Sequence, residues 1–169
     1  NVVVGGSFQG RQTPVFTETL EYVVFQPYWN VPPSIQNKEL MPKVRADPSY
    51  LSRNGYEMVD GRIRQKPGPK NALGRVKFIL PNPMNIYLHD TPSKSLFDKD
   101  ERTFSSGCIR VQKAFELAEL VLGDPATWNP QTMAEVVATK KMRTVNLAKP
   151  VPVLILYWTA QPRPDGRVV

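Results

Sequence analysis

Apolar positions along the chain follow two periods: two residues in most segments, and three to four in the stretch after Cys108. Alternation is cleanest from Arg75 to Leu80, where Val76, Phe78 and Leu80 fall on one face, and a strand is predicted there. Leu20–Phe25 carries Tyr22, Val23, Val24 and Phe25 in near-continuous apolar order, as a buried strand does. Val2–Val4 reads as a short strand ended by Gly5-Gly6, and Arg11–Phe16 as a turn or loop around Pro14. Asn85–His89 is a further strand after the Pro81-Asn82-Pro83 turn, and because side chains alternate, Tyr87 and His89 share a face. Thr144–Leu147 and the apolar, β-branched Val151–Ala160 complete the strands, and the tail Gln161–Val169 reads as frayed.

The longer period begins past Cys108. Ala114, Leu117, Ala118, Val121 and Leu122 are spaced for a helix, with Gly123 as its stop and Pro125 beyond. Asn129-Pro130 opens a second helix to about Thr139. On this reading Cys108 lies just before a helix, whose positive dipole end would favour a thiolate. The pattern predicts an α+β, mainly β domain: a sandwich-like sheet pair with a helix after Cys108.

Residues 34–70 break the strand pattern. Ser34 is placed to cap a short helix through Leu40, limited by Pro42, and Asp47-Pro48 to start another that stops at Gly55. Residues 36–70 hold eight Lys/Arg against four Asp/Glu, a net +4 of the chain's +7. Two capped helices imply order, so the segment is expected to be an inserted helical lid within a single domain of residues 1–169, not a solvated decoration. Gly68–Gly74 turns the chain back into the main fold. Upstream, Gln26–Pro33 is a Pro- and aromatic-rich loop that groups Tyr28, Trp29 and Asn30.

A chain of 169 residues suffices for one core. No apolar run approaches the roughly 20 residues of a membrane span. The chain opens on Asn1 without a signal peptide, and is read as a processed or excised piece of a longer protein whose upstream domains are absent. A charge of +7 suits an acidic partner. Nucleic acid is not expected, because the aromatics are not interleaved with Lys and Arg as on a base-stacking surface.

One histidine and one cysteine are too few for a conventional zinc site, and a single cysteine cannot form an internal disulfide. Singly, each is an ordinary structural residue: a lone cysteine is more often a small buried hydrophobe. Together they have the makings of nucleophilic catalysis, which needs a thiolate, a base to take its proton, and donors for an oxyanion. His89 and Cys108 are 19 residues apart, and Gly107, without a Cβ, permits an unusual backbone angle or close approach of a substrate.

The flanks make the pair specific. Tyr87-Leu88-His89-Asp90 followed by Ser105-Ser106-Gly107-Cys108-Ile109-Arg110 resembles the signature of the YkuD-type L,D-transpeptidases, cysteine enzymes of the bacterial cell wall. Ser106 stands where most members carry a second histidine. With Phe25–Pro32 upstream, the chain resembles the large Gram-negative subgroup with an inserted lid, and the likeness runs from Val2 to Ala160.

The resemblance implies an activity and a set of roles. Cys108 would attack the carbonyl of the third residue of a tetrapeptide stem. His89 would take the thiol proton, or be held with it as an imidazolium–thiolate pair, and then protonate the departing D-alanine. The N–H groups of Gly107 and Cys108, with the Tyr87 hydroxyl, would hold the oxyanion. The backbone carbonyl of Asp90 or a neighbour would orient the imidazole. A diaminopimelate amine of a second stem would complete a 3→3 crosslink. Arg110 would bind a substrate carboxylate or brace its loop, and Ser105, Ser106, Trp29, Asn30 and Asp90 would line the substrate site. No metal or cofactor is implied. The expected partners are peptidoglycan stem peptides, with carbapenem β-lactams as covalent inhibitors, on a monomer in the periplasm or cell envelope. Two alternatives stand beside it: a sortase-like cysteine transpeptidase, whose essential arginine would lie on a later strand, and a non-catalytic wall-binding module.

Overall fold

The computed structural model describes residues 1–6, 10–157 and 163–167. It is a mixed α+β structure dominated by sheet, the class expected. In chain order its elements are β1 (Val2–Val3), β2 (Phe16–Phe25), β3 (Trp29–Asn30), α1 (Pro33–Ile35), a π-helical segment (Gln36–Leu40), α2 (Met41–Ala46), α3 (Tyr50–Arg53), β4 (Tyr56–Val59) and β5 (Arg62–Gln65). There follow β6 (Val76–Ile79), β7 (Leu88–His89), a 3-10 turn (Lys94–Asp98), β8 (Ile109–Val111), α4 (Ala114–Leu122), α5 (Pro130–Ala138) and β9 (Arg143–Ile155). Six strands form one sheet in the order β1-β8-β7-β6-β2-β9, and β3-β5-β4 form a second. Within the first sheet β7 and β8 run parallel and the other neighbours antiparallel.

The alternation read in the sequence assigns the faces of the large sheet. Val23, Phe25, Val76, Phe78 and Leu80 are buried together against Ala114, Ala118 and Leu122 of α4 and Met133 and Val136 of α5. Phe25 stacks on Trp128 with ring centroids 5.5 Å apart. α4 ends at Gly123, which takes the left-handed conformation at φ 66° as its sequence position implies. In α5, Asn129 caps the first turn by accepting from the Thr132 N–H at 3.0 Å, and Pro130 follows it. With one face filled by helices, the residues of opposite parity face the other way. A continuous transverse row results: Val3 opposite Arg110, Arg110 beside His89, His89 opposite Lys77, and Lys77 opposite Val24.

Four expectations change. Pro42 does not end the first helix: α1, the π segment and α2 run on without a break, and the π turn lies over the residues whose carbonyls the Pro42 ring would crowd. Ser34 is inside the helix rather than its cap, and Asp47 acts locally, accepting from the Ser49 N–H and hydroxyl. The insertion is not wholly helical. Its second half is the β4–β5 hairpin, turned by Asp60-Gly61 with φ 48° and 74°, the backbone a two-residue type I′ turn requires. Finally, the two C-terminal strands are one, β9, which continues through Pro150 and Pro152; an edge strand tolerates prolines because its outer N–H groups have no ladder partner. Residues 158–160 of the expected strand, and residues 161, 162, 168 and 169 of the expected frayed tail, lie outside the described residues; 163–167 form a turn closed by the Arg163 N–H on the Arg167 carbonyl at 2.8 Å.

The insertion has a small core of its own, Val31, Leu40 and Ile63, flanked by Trp29, Tyr50 and Tyr56. Buried Asn71 ties its return to the loop after β2, donating to the carbonyls of Pro27 and Lys66, each at 3.0 Å. Ile35 and Glu39 of the helical half line one cavity with His89 and Arg110 of the large sheet.

Candidate active site

The expected strand Asn85–His89 narrows to β7, Leu88–His89, with Asn85 left-handed at φ 55°; Tyr87 just precedes it, and its ring lies 5.8 Å from that of His89 between centroids. The chain then makes a long excursion and returns at Ser105, which pairs with β1's extension by a parallel bridge to Gly5. Ser105 organises the turn that follows. It is buried, its hydroxyl donates to the Cys108 carbonyl at 2.5 Å, and it accepts the Gly107 N–H at 3.2 Å. The Gly107 carbonyl accepts from the Thr13 hydroxyl at 2.8 Å. Gly107 has φ 114°, and a Cβ there would meet the Ile86 side chain at 3.1 Å, so both backbone conformation and space call for glycine.

The turn aims Cys108 into a cavity of about 220 Å³. Tyr87, His89, Arg110, Ser105 and Ser106 line it from the sheet side, Trp29 and Pro32 from the segment before the insertion, and Ile35 and Glu39 from the insertion itself. Arg11 joins Glu39 at 3.1 Å across the rim. Seven of the ten residues singled out in the sequence thus meet at one cavity: Cys108, His89, Tyr87, Arg110, Ser105, Ser106 and Trp29. Gly107 shapes the turn behind them. Two do not come in. Asn30 is exposed and sits opposite Arg64 in the second sheet. The Asp90 carboxylate points away, into bonds with the Arg75 N–H at 2.9 Å and the Lys94 ammonium at 2.6 Å.

Asp90 contributes through its backbone. His89 Nδ1 lies against the Asp90 carbonyl, and since a carbonyl only accepts, Nδ1 carries the proton. Nε2 is then the bare nitrogen of the neutral ring. Burial and the nearby Arg110 and Lys77 cations outweigh the Asp90 bond and push the His89 pKa down to about 4. The ring is therefore neutral at physiological pH.

Burial also pushes the Cys108 thiol up; the Tyr87 N–H and hydroxyl, and the charges of Lys77 and Arg110, act in the opposite direction. The thiol lies 3.8 Å from the Asn85 carbonyl, within reach of a weak S–H donation. The helix dipole expected at Cys108 is not available. β8 intervenes, and α4 starts a strand's length further on at Ala114, so the end charge of the helix, which fades within a turn, does not reach the sulfur. Gly107's N–H, expected as an oxyanion donor, is committed to Ser105. The Cys108 N–H has no acceptor among the described residues. Burial, and then the charge of a thiolate at Cys108, raise the pKa of the Tyr87 hydroxyl.

Arg110 makes no ion pair among the described residues, and its buried Nε has no partner, so the loop-bracing alternative has no counterpart here. Lys77 is the residue the sequence reading missed. It packs its ammonium 3.8 Å from the centre of the Tyr87 ring, and its charge favours a thiolate at Cys108. The signal was present in the Val76–Phe78–Leu80 alternation, which puts Lys77 on His89's side of the sheet.

A half-buried thiol, a neutral imidazole with one nitrogen fixed and a guanidinium without an ion pair thus line one cavity, with a backbone N–H that has no acceptor among the described residues beside them. The comparisons give the family. The L,D-transpeptidase catalytic domain, YkuD, matches residues 1–153, and the chain belongs to that family. It is 36% identical over 180 residues to a Haemophilus influenzae protein named "Putative L,D-transpeptidase". That match takes in 94% of this chain and 36% of the relative, so the chain spans about a third of the length of the curated relative it matches. The sortase-like alternative falls with this assignment. Among the described residues no group of three or more His, Cys, Asp or Glu could hold a metal ion, and no helix is long and apolar enough to cross a membrane.

Proposed function

We propose that this domain is a peptidoglycan L,D-transpeptidase of the cell envelope that forms 3→3 crosslinks through a thioester on Cys108. The observation that carries the reading is the neutral pair: a half-buried thiol and a buried imidazole with Nε2 unprotonated share one cavity. Such a pair works by general base catalysis rather than from a preformed ion pair. Nε2 takes the Cys108 proton as sulfur attacks the carbonyl of the third residue of a tetrapeptide stem. The Cys108 N–H faces the developing oxyanion. The imidazolium, disfavoured by Arg110 and Lys77, readily gives its proton to the departing D-alanine amine. A diaminopimelate amine of a second stem then attacks the thioester, its proton returning through His89. The unpartnered Arg110 guanidinium fits a stem carboxylate, the one feature of peptidoglycan peptides that a cation under a lid selects.

Intact-protein mass spectrometry and chromatography of products from purified muropeptides test the proposal. Wild-type protein should gain one carbapenem-sized adduct and yield 3→3 dimers; Cys108→Ala should do neither. A wild-type protein that takes no adduct, or a Cys108→Ala protein that still turns over, sinks the reading.

A further inference from the structure

Lys77 is a cation without a counter-anion. Its side chain is half-buried on the site face of the sheet, and among the described residues it pairs with no carboxylate. A lysine withdrawn from water ordinarily finds an acidic partner or loses its proton, because desolvating an unpaired charge is costly. Instead, the Lys77 ammonium rests 3.8 Å from the centroid of the Tyr87 ring, and register pairing sets it directly across from His89. Tyr87 and Cys108 line the same cavity. The tyrosine thus seats the ammonium on its ring beside the cavity that holds the sulfur.

We propose that Lys77 is a positioning residue for the acyl transfer: held on the Tyr87 ring and opposite His89, it is the counter-cation of the Cys108 thiolate and of the anions that follow it. The inference rests on the reading of Cys108 as nucleophile. When the S–H bond breaks and Nε2 gains the proton, the sulfur carries the negative charge and the ring the positive one. Lys77 stays protonated throughout. Its charge favours the thiolate and disfavours the imidazolium, so it assists attack first and then strengthens His89 as the acid that protonates the leaving amine. The charged and titratable groups around the sulfur are Tyr87, His89, Lys77 and Arg110, with Arg11 and Glu39 on the rim; those around His89 are Asp90, Arg110 and Lys77. Of these, Lys77 alone rests on an aromatic ring that lines the sulfur's cavity.

The single cysteine and single histidine permit a test that requires no turnover. Alkylation of Cys108 by neutral iodoacetamide, followed against pH, reads the thiol; the ring resonances of His89 read the imidazole. In Lys77→Met the alkylation profile should move to higher pH, with a rate at neutral pH lower by about tenfold, the effect of one partly screened charge at close range. The His89 midpoint should rise in the same variant. Lys77→Arg, which keeps the charge, should restore both. Wild-type protein supplies a measurement independent of folding of the variants: capping Cys108 with a neutral group should lower the Lys77 titration midpoint, read at its side-chain carbon. Profiles of Lys77→Met that superimpose on wild type, or a Lys77 midpoint indifferent to the cap, overturn the proposal. Failure of the transpeptidase reading would appear elsewhere, as absent crosslinks with these titrations intact.

Discussion

The Ser105 hydroxyl donates to the Cys108 carbonyl while accepting the Gly107 N–H, so one side chain closes the nucleophile turn from both sides. Ser105→Ala removes both bonds and leaves a buried N–H and carbonyl without partners. Such a loss costs about 1–3 kcal/mol. The melting temperature should fall, and acylation of Cys108 should slow because the turn no longer holds the sulfur in the cavity. Ser105→Thr should retain most of both. Calorimetry beside adduct-formation rates checks this; an alanine variant as stable and as fast as wild type would show the bonds to be incidental.

Tyr87→Phe isolates the hydroxyl. Since Gly107's N–H is taken by Ser105, fewer donors remain for the sulfur and the oxyanion than the sequence suggested. The phenol should therefore matter more than a redundant donor: a loss on the order of 10²-fold in acylation rate, as for removal of one oxyanion-hole donor. The ring persists in the variant, so Lys77 keeps its seat. Single-turnover acylation distinguishes this from slower product release, and a rate within a few-fold of wild type would assign the work to backbone donors.

These two residues show what the sequence disclosed and what it hid. The Tyr-Leu-His alternation was enough to put Tyr87 and His89 on one face, and the Gly-Cys turn was enough to nominate Cys108. The three-residue strand Ile109–Val111 was invisible, because two apolar residues just before a helical repeat read as its lead-in. The hairpin of β4 and β5 is polar at most of its outward positions, which masks its period, although Asp60-Gly61 is a turn signal in its own right. Pro150 and Pro152 broke β9 on paper because a proline forbids a central strand and only topology reveals an edge. A charge opposite a core face normally faces water, so the alternation by itself does not mark Lys77; only the fold seats it on the Tyr87 ring.

The buried neutral state of His89 makes a prediction about stability. Its folded pKa is depressed from 6.5 to about 4, so between those values the unfolded chain binds a proton that the folded one refuses. Stability from this residue is complete above pH 6.5 and is lost as pH falls through the window to about 4. The loss totals on the order of 3 kcal/mol at 1.36 kcal/mol per unit. Exposed carboxylates also titrate there, but they are common to the wild type and to His89→Gln. Urea midpoints at pH 7 and pH 4.5 should therefore drop further for wild type than for His89→Gln. Equal drops would mean the ring is not held neutral.

The insertion supplies the last prediction. Its core, Val31, Leu40 and Ile63, is separate from the one beneath the large sheet, so replacing residues 36–66 with a short Gly/Ser linker should leave that sheet and α4–α5 folded. The deletion also removes β5, the partner strand of Trp29, and Tyr56, whose ring lies 6.4 Å from it. Trp29 lines the Cys108 cavity beside Tyr87, so its release should slow acylation of Cys108 by a small β-lactam, to about the rate of a Trp29→Ala variant, without abolishing it. Transfer should suffer more. On the proposed reaction the thioester must outlast water until a large amine arrives; the deletion takes Glu39 out of the cavity wall and leaves Pro32 and Ile35 without the π segment and α2 that follow them in the chain. Crosslinked dimers should fall and hydrolysed tripeptide should rise as a share of product, measured by chromatography of muropeptide digests beside intact-protein mass. Glu39→Gln, which breaks only the rim pair with Arg11, should change this partition slightly, because an exposed ion pair contributes about 0–1 kcal/mol. A truncated enzyme that crosslinks as well as wild type, with no added hydrolysis, would show the insertion to be decoration.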